Sequence, residues 1–341
     1  MRLNRLGCFL LVLTVFLTSC EKEETPIALP PRGEAKIEQI SMGGPSYPDQ
    51  VFYDLENQKV VSISVINSWD LAFGSSVEGY PIFVNGAKDL YVYNTGQTDI
   101  TQVTTAPDYN DKKWKYDAAE GMTDSTAFGQ WSDNGISKGV VYVLKVNPAH
   151  NKDTFRKMKI ITADDTHYEV MFGDLRSKEV TKVTIPIDAA YNFGYLSFND
   201  GVVKPEPPKN DWDIVFTRYR YIYRELDNFP YLVNGVLLNP AKEGSFGDLK
   251  AKIQAARDST LPPFQEVTAD YVTKVKFSPY RDVIGWDWKV YSFDTQKYTV
   301  KKDRTYLIQS RNKQFFKFHF LDFYNNAGEG GNPSFEFDRL R

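Results

Sequence analysis

Apolar and polar residues alternate along most of the chain from Gln50 onward, in short runs closed by Asn, Asp or Gly, and this period of two predicts β-strands. Val51-Phe52-Tyr53 and residues 60–65, 69–73 and 90–93 form the first group. Residues 140–146, 155–161 and 167–172 predict three successive antiparallel strands with turns at Asn147-Pro148 and Ala163-Asp164-Asp165, and a further strand falls at 191–198. Between them, residues 97–138 lose the alternation and predict a long loop packed through Trp114, Tyr116, Phe128 and Trp131. Toward the C-terminus, residues 272–277, 286–293, 298–300, 305–309, 315–323 and 333–340 are again strand-like. One segment has a helical period. Ser245 is placed to cap it with Asp248 three residues on, and Phe246, Leu249, Ile253 and Ala256 share a face, so a short helix is predicted over 245–257.

The pattern occurs twice. Ser68-Trp69-Asp70-Leu71-Ala72-Phe73, followed by Phe83-Val84-Asn85-Gly86-Ala87, returns as Asp211-Trp212-Asp213-Ile214-Val215-Phe216 and Leu232-Val233-Asn234-Gly235-Val236. Each copy predicts a hairpin whose second strand stops at Asn-Gly, a dipeptide that tolerates the positive φ of a tight turn. A second echo sets Phe155-Arg156-Lys157-Met158-Lys159-Ile160-Ile161 against Phe315-Phe316-Lys317-Phe318-His319-Phe320-Leu321, and Val141-Tyr142-Val143-Leu144 against Thr305-Tyr306-Leu307-Ile308. Lys204-Pro205-Glu206-Pro207-Pro208-Lys209 punctuates the chain between the copies. The fold expected is all-β and mainly antiparallel. It has two repeated units, residues 49–203 and 204–341, with Trp69 and Trp212 buried in equivalent positions and the helix in the second unit.

The first residues are of another kind. Arg2 and Arg5 precede an apolar stretch over 6–17, and Leu17-Thr18-Ser19-Cys20 matches a bacterial lipobox. Residues 1–19 are therefore expected to be a signal peptide, and Cys20 the acylated residue that anchors the protein in outer-membrane lipid. Glu21-Lys22-Glu23-Glu24 resembles the surface-export signal of some Gram-negative lipoproteins, which places the protein at the cell surface. Residues 20–48 are rich in proline and glycine and are expected to form a flexible tether. The only other cysteine, Cys8, lies in the signal segment, so no disulfide is available to the mature chain and the core alone must hold the fold. Twenty-three phenylalanines and 21 tyrosines supply such a core. Cleavage before Cys20 leaves 39 basic against 44 acidic side chains, a net charge of −5 with no basic block, which argues against nucleic-acid binding.

Candidate chemistry is sparse. His150, His167 and His319 share no metal-ligand spacing, and no nucleophile motif accompanies Asp165 and His167, so neither a zinc site nor an enzyme is expected. Alternation puts His319 opposite the Phe316, Phe318 and Phe320 face, toward solvent. Thr217-Arg218-Tyr219-Arg220-Tyr221-Ile222-Tyr223-Arg224 would, as a strand, put Tyr219, Tyr221 and Tyr223 on one face and Arg218, Arg220 and Arg224 on the other. Tyrosines of this kind bind flat aromatic ligands, a phenolate can ligate ferric haem iron, and arginines pair with propionates. The same run also reads as an ordinary half-exposed strand that uses tyrosine for its β preference.

Several of these segments together resemble the HmuY-like family of exported bacterial lipoproteins. The resemblance rests on Pro207-Pro208 leading into Trp212-Asp213-Ile214-Val215-Phe216-Thr217, on Ile284-Gly285-Trp286-Asp287-Trp288-Lys289, and on Lys317-Phe318-His319-Phe320-Leu321-Asp322-Phe323-Tyr324-Asn325. It implies an all-β fold and a haemophore-type role, in which haem is held by two axial histidine or methionine side chains and passed to an outer-membrane receptor of the TonB-dependent kind. This sequence departs from that ligand set, because no histidine or methionine occurs between Met171 and His319. Lys297 and Tyr298 stand near where one ligand is expected, which adds Tyr298 to the tyrosine candidates. Two functions of different class stay open: a surface lipoprotein that binds haem or porphyrin for uptake through tyrosine, and an accessory or scaffold lipoprotein of the same fold that binds no haem.

Overall fold

A computed structural model describes residues 35–75, 79–133, 135–146, 154–243 and 250–341. The expected signal peptide, Cys20, the tether as far as residue 34, and the cap of the expected helix lie outside the described residues. The described residues form one compact unit.

The strands run β1 (Lys36–Gln39), β2 (Asp49–Asp54), β3 (Lys59–Val65), then the first Trp-Asp hairpin, β4 (Leu71–Gly74) and β5 (Ile82–Val84), and β6 (Tyr91–Asn94). A long irregular stretch follows, in which Phe128 and Trp131 are buried as anchors and β7 (Ser132–Asp133) pairs with β8 (Ile136–Ser137). Next come β9 (Val141–Val146), β10 (Thr154–Ala163), β11 (His167–Asp174), β12 (Thr181–Pro186), β13 (Phe193–Ser197) and β14 (Gly201–Val203). The second Trp-Asp hairpin is β15 (Ile214–Tyr223) and β16 (Phe229–Leu238). After it lie β17 (Lys242–Glu243), β18 (Lys250–Ala251), β19 (Gln254–Ala256), the hairpin β20 (Lys289–Ser292) and β21 (Lys297–Val300), then β22 (Tyr306–Gln309), β23 (Phe315–Tyr324) and β24 (Gly330–Leu340).

The duplication is visible in the pairing. One half has the antiparallel order β12-β11-β10-β9-β6 beside β14-β13-β4-β5, and the other has β1-β24-β23-β22-β19 beside β3-β2-β15-β16. Each half is a sandwich, because alternate residues of both sheets turn inward. Leu71, Phe73, Leu144, Met158, Ile160 and Val170 are among those that fill the first core. Ile214, Phe216, Ile308, Phe316, Phe318 and Phe335 are among those that fill the second. Strands β1–β3, which precede the first Trp-Asp hairpin, complete the sheets of the second core, while β12–β14 play the same part in the first.

Local contacts repeat at the two Trp-Asp sites. Trp69 meets the Tyr195 ring edge-on at 5.0 Å, and Trp212 meets Phe52 the same way at 4.9 Å. The Asp70 carboxylate accepts the Phe198 N–H at 2.7 Å, and that of Asp213 accepts the Leu55 N–H at 2.9 Å. Trp212 is fully buried, whereas Trp69 is only half-buried.

Four expectations are corrected. The second hairpin does not end at Asn234-Gly235: β16 runs on to Leu238, and Asn239 takes the part of Asn85. Asn85 Nδ2 donates to the Ile66 and Trp69 carbonyls, and Asn239 Nδ2 donates to those of Lys209 and Trp212. Gly235 serves a close approach instead, since a Cβ there would sit 2.3 Å from the Gly285 carbonyl oxygen. The helix expected over 245–257 is absent among the described residues, which form β18 and β19; Ala255 and Ala256 are buried by pairing with Ile308 and Leu307 of β22. Here ladder hydrogen bonds override a local helical pattern. The tether ends before Lys36, because β1 pairs with β24 and Ile40 and Met42 are buried in the second core. Finally, His319 does not face solvent. The turn Phe264–Glu266 roofs that side of β23, Phe264 stacks on the imidazole at 4.3 Å, and Nε2 lies 2.8 Å from Glu336.

Candidate binding cleft

β4 and β5 are four and three residues long, whereas β15 and β16 are ten each, so the second hairpin projects past its own core. Its tip is the turn Arg224–Leu226, followed by Asp227 and Asn228 with φ of 56° and 58°, the left-handed region that short polar residues tolerate. The Tyr-Arg run lies on this projection, and alternation divides it as expected.

On the tyrosine face, Tyr219 is buried next to the core with its hydroxyl lacking a partner among the described residues. Tyr221 and Tyr223 lie farther out and meet Trp286 at 5.6 and 5.7 Å, both rings tilted by more than 60°. These three rings line a cleft of about 630 Å³ whose far wall carries Tyr280 and Arg257. Arg257 is held by a two-pronged bond to Asp287, at 2.7 and 2.6 Å. Tyr298 stands apart on β21, packed on Tyr291 and Phe323, with its N–H donated to the Tyr324 hydroxyl.

The arginine face turns toward the first half of the chain and is occupied there. Arg220 is buried, bonds Asp89 at 2.8 Å and the Leu90 carbonyl at 3.0 Å, and lies over the Tyr91 ring. Arg218 reaches Asn67 at 3.4 Å, and Arg224 pairs with Glu120. The arginines and the outer tyrosines are therefore not brought to one site. Trp286, Tyr280 and the cations Lys276 and Lys301 are; the strand expected over 272–277 is absent among the described residues and the one expected over 286–293 begins only at Lys289, so alternation did not place Lys276 or Trp286. The sequence signal was the Gly285-Trp286-Asp287-Trp288 run, whose two indoles go to different places: Trp288 to the core, Trp286 to the cleft.

The electrostatics select among ligands. Burial raises the Tyr221 phenol, and Glu225, Asp282 and Asp287 add to the shift. Burial likewise raises Tyr223, with Tyr221 the next contributor, and pushes Tyr219 well above the ordinary range. Tyr298 is raised by burial and by the neighbouring Tyr231. Burial, with Glu120 second, lifts Asp282 to about 6. Each shift opposes ionisation of the free phenol, and no histidine, methionine or cysteine lines the cleft among the described residues. The residues present fit the flat face of a porphyrin, and the side chains they offer toward its iron are the phenols of Tyr221 and Tyr223 rather than a histidine or methionine pair.

The architecture is a duplicated antiparallel β-sandwich with an aromatic, mixed-charge cleft beside a projecting hairpin. The HmuY protein family matches twice, over residues 46–176 and 167–337, and the chain belongs to that family. No curated protein matches it. Among solved structures it is similar to the apo HmuY analog of Tannerella forsythia, at 12% identity, 92% of this chain, 100% of that one and a TM-score of 0.30. It is also similar to apo PinO from Porphyromonas gingivitis (10%, 91% and 98%, TM-score 0.30). A third is a putative HmuY-like heme binding protein from Bacteroides vulgatus (10%, 90% and 94%, TM-score 0.24).

Proposed function

We propose that this protein is a lipid-anchored binding protein of the outer membrane, facing the cell surface, that takes up a porphyrin by ring contact in the cleft of Tyr221, Tyr223 and Trp286. The observation that carries the reading is the approach of Tyr221 and Tyr223 to Trp286 at the wall of an open cleft large enough for a flat ligand. Ring contact carries the reading, and the burial that raises the Tyr221 and Tyr223 phenols works against tyrosinate ligation of an iron. Lys276 and Lys301 at the rim are the cations offered to propionates. Delivery to an outer-membrane receptor of the TonB-dependent kind is the use that fits a surface anchor.

Titration with haemin and with metal-free protoporphyrin, read by the Soret band and by tryptophan quenching, tests this. Both are expected to bind with similar affinity. Trp286→Ala should weaken both about tenfold, the worth of an aromatic contact of about 1.5 kcal/mol. A haemin-only response with a low-spin spectrum would replace ring contact by axial ligation. No spectral change with either compound would favour an accessory or scaffold lipoprotein, a reading to which the missing histidine and methionine also point.

A further inference from the structure

The two four-stranded sheets turn their outer faces toward each other. Between them, Phe83, Phe193 and Tyr195 from one half face Val215, Thr217 and Leu237 from the other across a cavity of about 110 Å³. Phe83, Phe193 and Arg281 also line a second cleft, of about 380 Å³, beside this cavity and well within the size range of small-molecule sites. Its walls are apolar, from Pro81, Phe83, Ile187 and Phe193.

The charges in it are unbalanced. Arg281 is half-buried, and burial pulls its guanidinium down. Nε donates to the Leu238 carbonyl at 3.2 Å, and the terminal nitrogens, which no side chain of the described residues bonds, are open to the cleft. Glu206 and Asp282 are the near anions that favour its charge, and the oxygens of Glu206 also accept from Asn192 and from the Tyr195 hydroxyl. Lys209 and Lys242 line the same cleft, and Lys209 is depressed by burial and by the charge of Lys252. Ser75, also in the lining, has a buried hydroxyl without a partner among the described residues. Asp165 is the one carboxylate in the lining, and Tyr80 lies 3.4 Å from it. Arg281, Lys209 and Lys242 outnumber the single carboxylate of the lining, so an anion entering the cleft meets a net positive wall.

We propose that this cleft is a second binding site, separate from that of Tyr221, Tyr223 and Trp286, for a small organic anion with a flat apolar body. The body lies against Phe83, Phe193 and Ile187, and its carboxylate or sulfonate meets Arg281 and Lys209, with Ser75 offering its hydroxyl. The cationic lining and apolar walls of this cleft differ from the tyrosine–tryptophan lining of the first cleft, so the site would serve a different ligand.

The test uses anilinonaphthalene sulfonate as the probe and uncharged phenylnaphthylamine as its neutral counterpart, with dye fluorescence read on the full chain. Arg281→Gln also removes the bond to Leu238 and so perturbs the fold. Lys209→Glu and Ala189→Trp, the second filling the cleft from an exposed position, keep the result readable. Each is expected to weaken sulfonate binding about tenfold or more, the effect of losing a charge-assisted bond or the space itself, while Trp286→Ala leaves it unchanged. Three results would overturn the proposal: sulfonate binding indifferent to both variants, loss of binding in Trp286→Ala, or equally tight binding of the neutral dye. Because the porphyrin titration reads a different cleft, either site can fail without the other.

Discussion

The equivalence of Asn85 and Asn239 can be measured by removing each side chain. Asn239 is 1% exposed and makes four hydrogen bonds: to the carbonyls of Lys209 and Trp212 at 2.8 and 2.7 Å, from the Ala241 N–H at 2.9 Å, and from Asn192 at 2.9 Å. Asn85, 2% exposed, makes three, with Ile66, Trp69 and Ala87. At about 1 kcal/mol net per bond, plus the penalty of stranding buried carbonyls, Asn239→Ala should cost about 3–5 kcal/mol and Asn85→Ala about 2–4. Asn234, the residue that sequence alignment sets against Asn85, is half-buried and its side-chain oxygen has no partner among the described residues. Its replacement by alanine should cost no more than about 0.5 kcal/mol. Urea unfolding followed by tryptophan fluorescence reports these differences if the slope of the transition is unchanged. Equal costs for Asn234→Ala and Asn239→Ala, or a cost below about 1 kcal/mol for Asn85→Ala, would refute the register and with it the structural repeat.

Lys289 is buried, donates to the Asn234 carbonyl, and burial lowers its amine to about 7. The unfolded chain then holds a proton that the native one releases, so stability attributable to this residue should rise between pH 7 and 9 by about 2 kcal/mol. Lys289→Met should abolish that rise in urea unfolding at the two pH values; an unaltered pH slope would show that the amine stays charged in the fold. Gly235→Ala forces a methyl against the Gly285 carbonyl and should destabilise by about 2–4 kcal/mol while weakening porphyrin binding through Trp286. Wild-type stability in that variant would mean that the 285 segment yields freely. Cys20→Ala should leave the protein unlipidated and release it from the membrane fraction; a lipidated variant would rule out the expected anchor.

Most strands were legible in the sequence because one face of each is buried, and alternation records that directly: Phe316, Phe318 and Phe320 alternate into the core as expected. The Trp-Asp hairpins and the echo between β10 and β23 were legible for the same reason. What local pattern does not encode is a partner far along the chain. Tyr53 of β2 pairs with Ile214 of β15, and Phe264 covers His319, so neither the place of β2 in the second sandwich nor the burial of the histidine shows in nearby residues. The tyrosine face of β15 was readable, but its service as a cleft depends on how far β15 and β16 outrun the core and on where the irregular segment places Trp286. The arginines were correctly assigned to the opposite face, yet only packing shows that Asp89, Asn67 and Glu120 already occupy them.

The pairing of Lys36 with Phe337 sets the two ends of the folded body side by side in one sheet. Topologically the body is a ring of two units that happens to be opened inside the second. Circular permutation should therefore be tolerated: linking residue 341 to residue 35 and cutting within 204–210 would make each sandwich continuous in sequence. A fragment starting at residue 204 is the opposite case. It would carry β15 with Ile214, Val215 and Phe216 stripped of their partners on β2, and a core missing Val51, Tyr53 and Leu55, so truncation there is expected to yield an aggregating product with an open sheet edge.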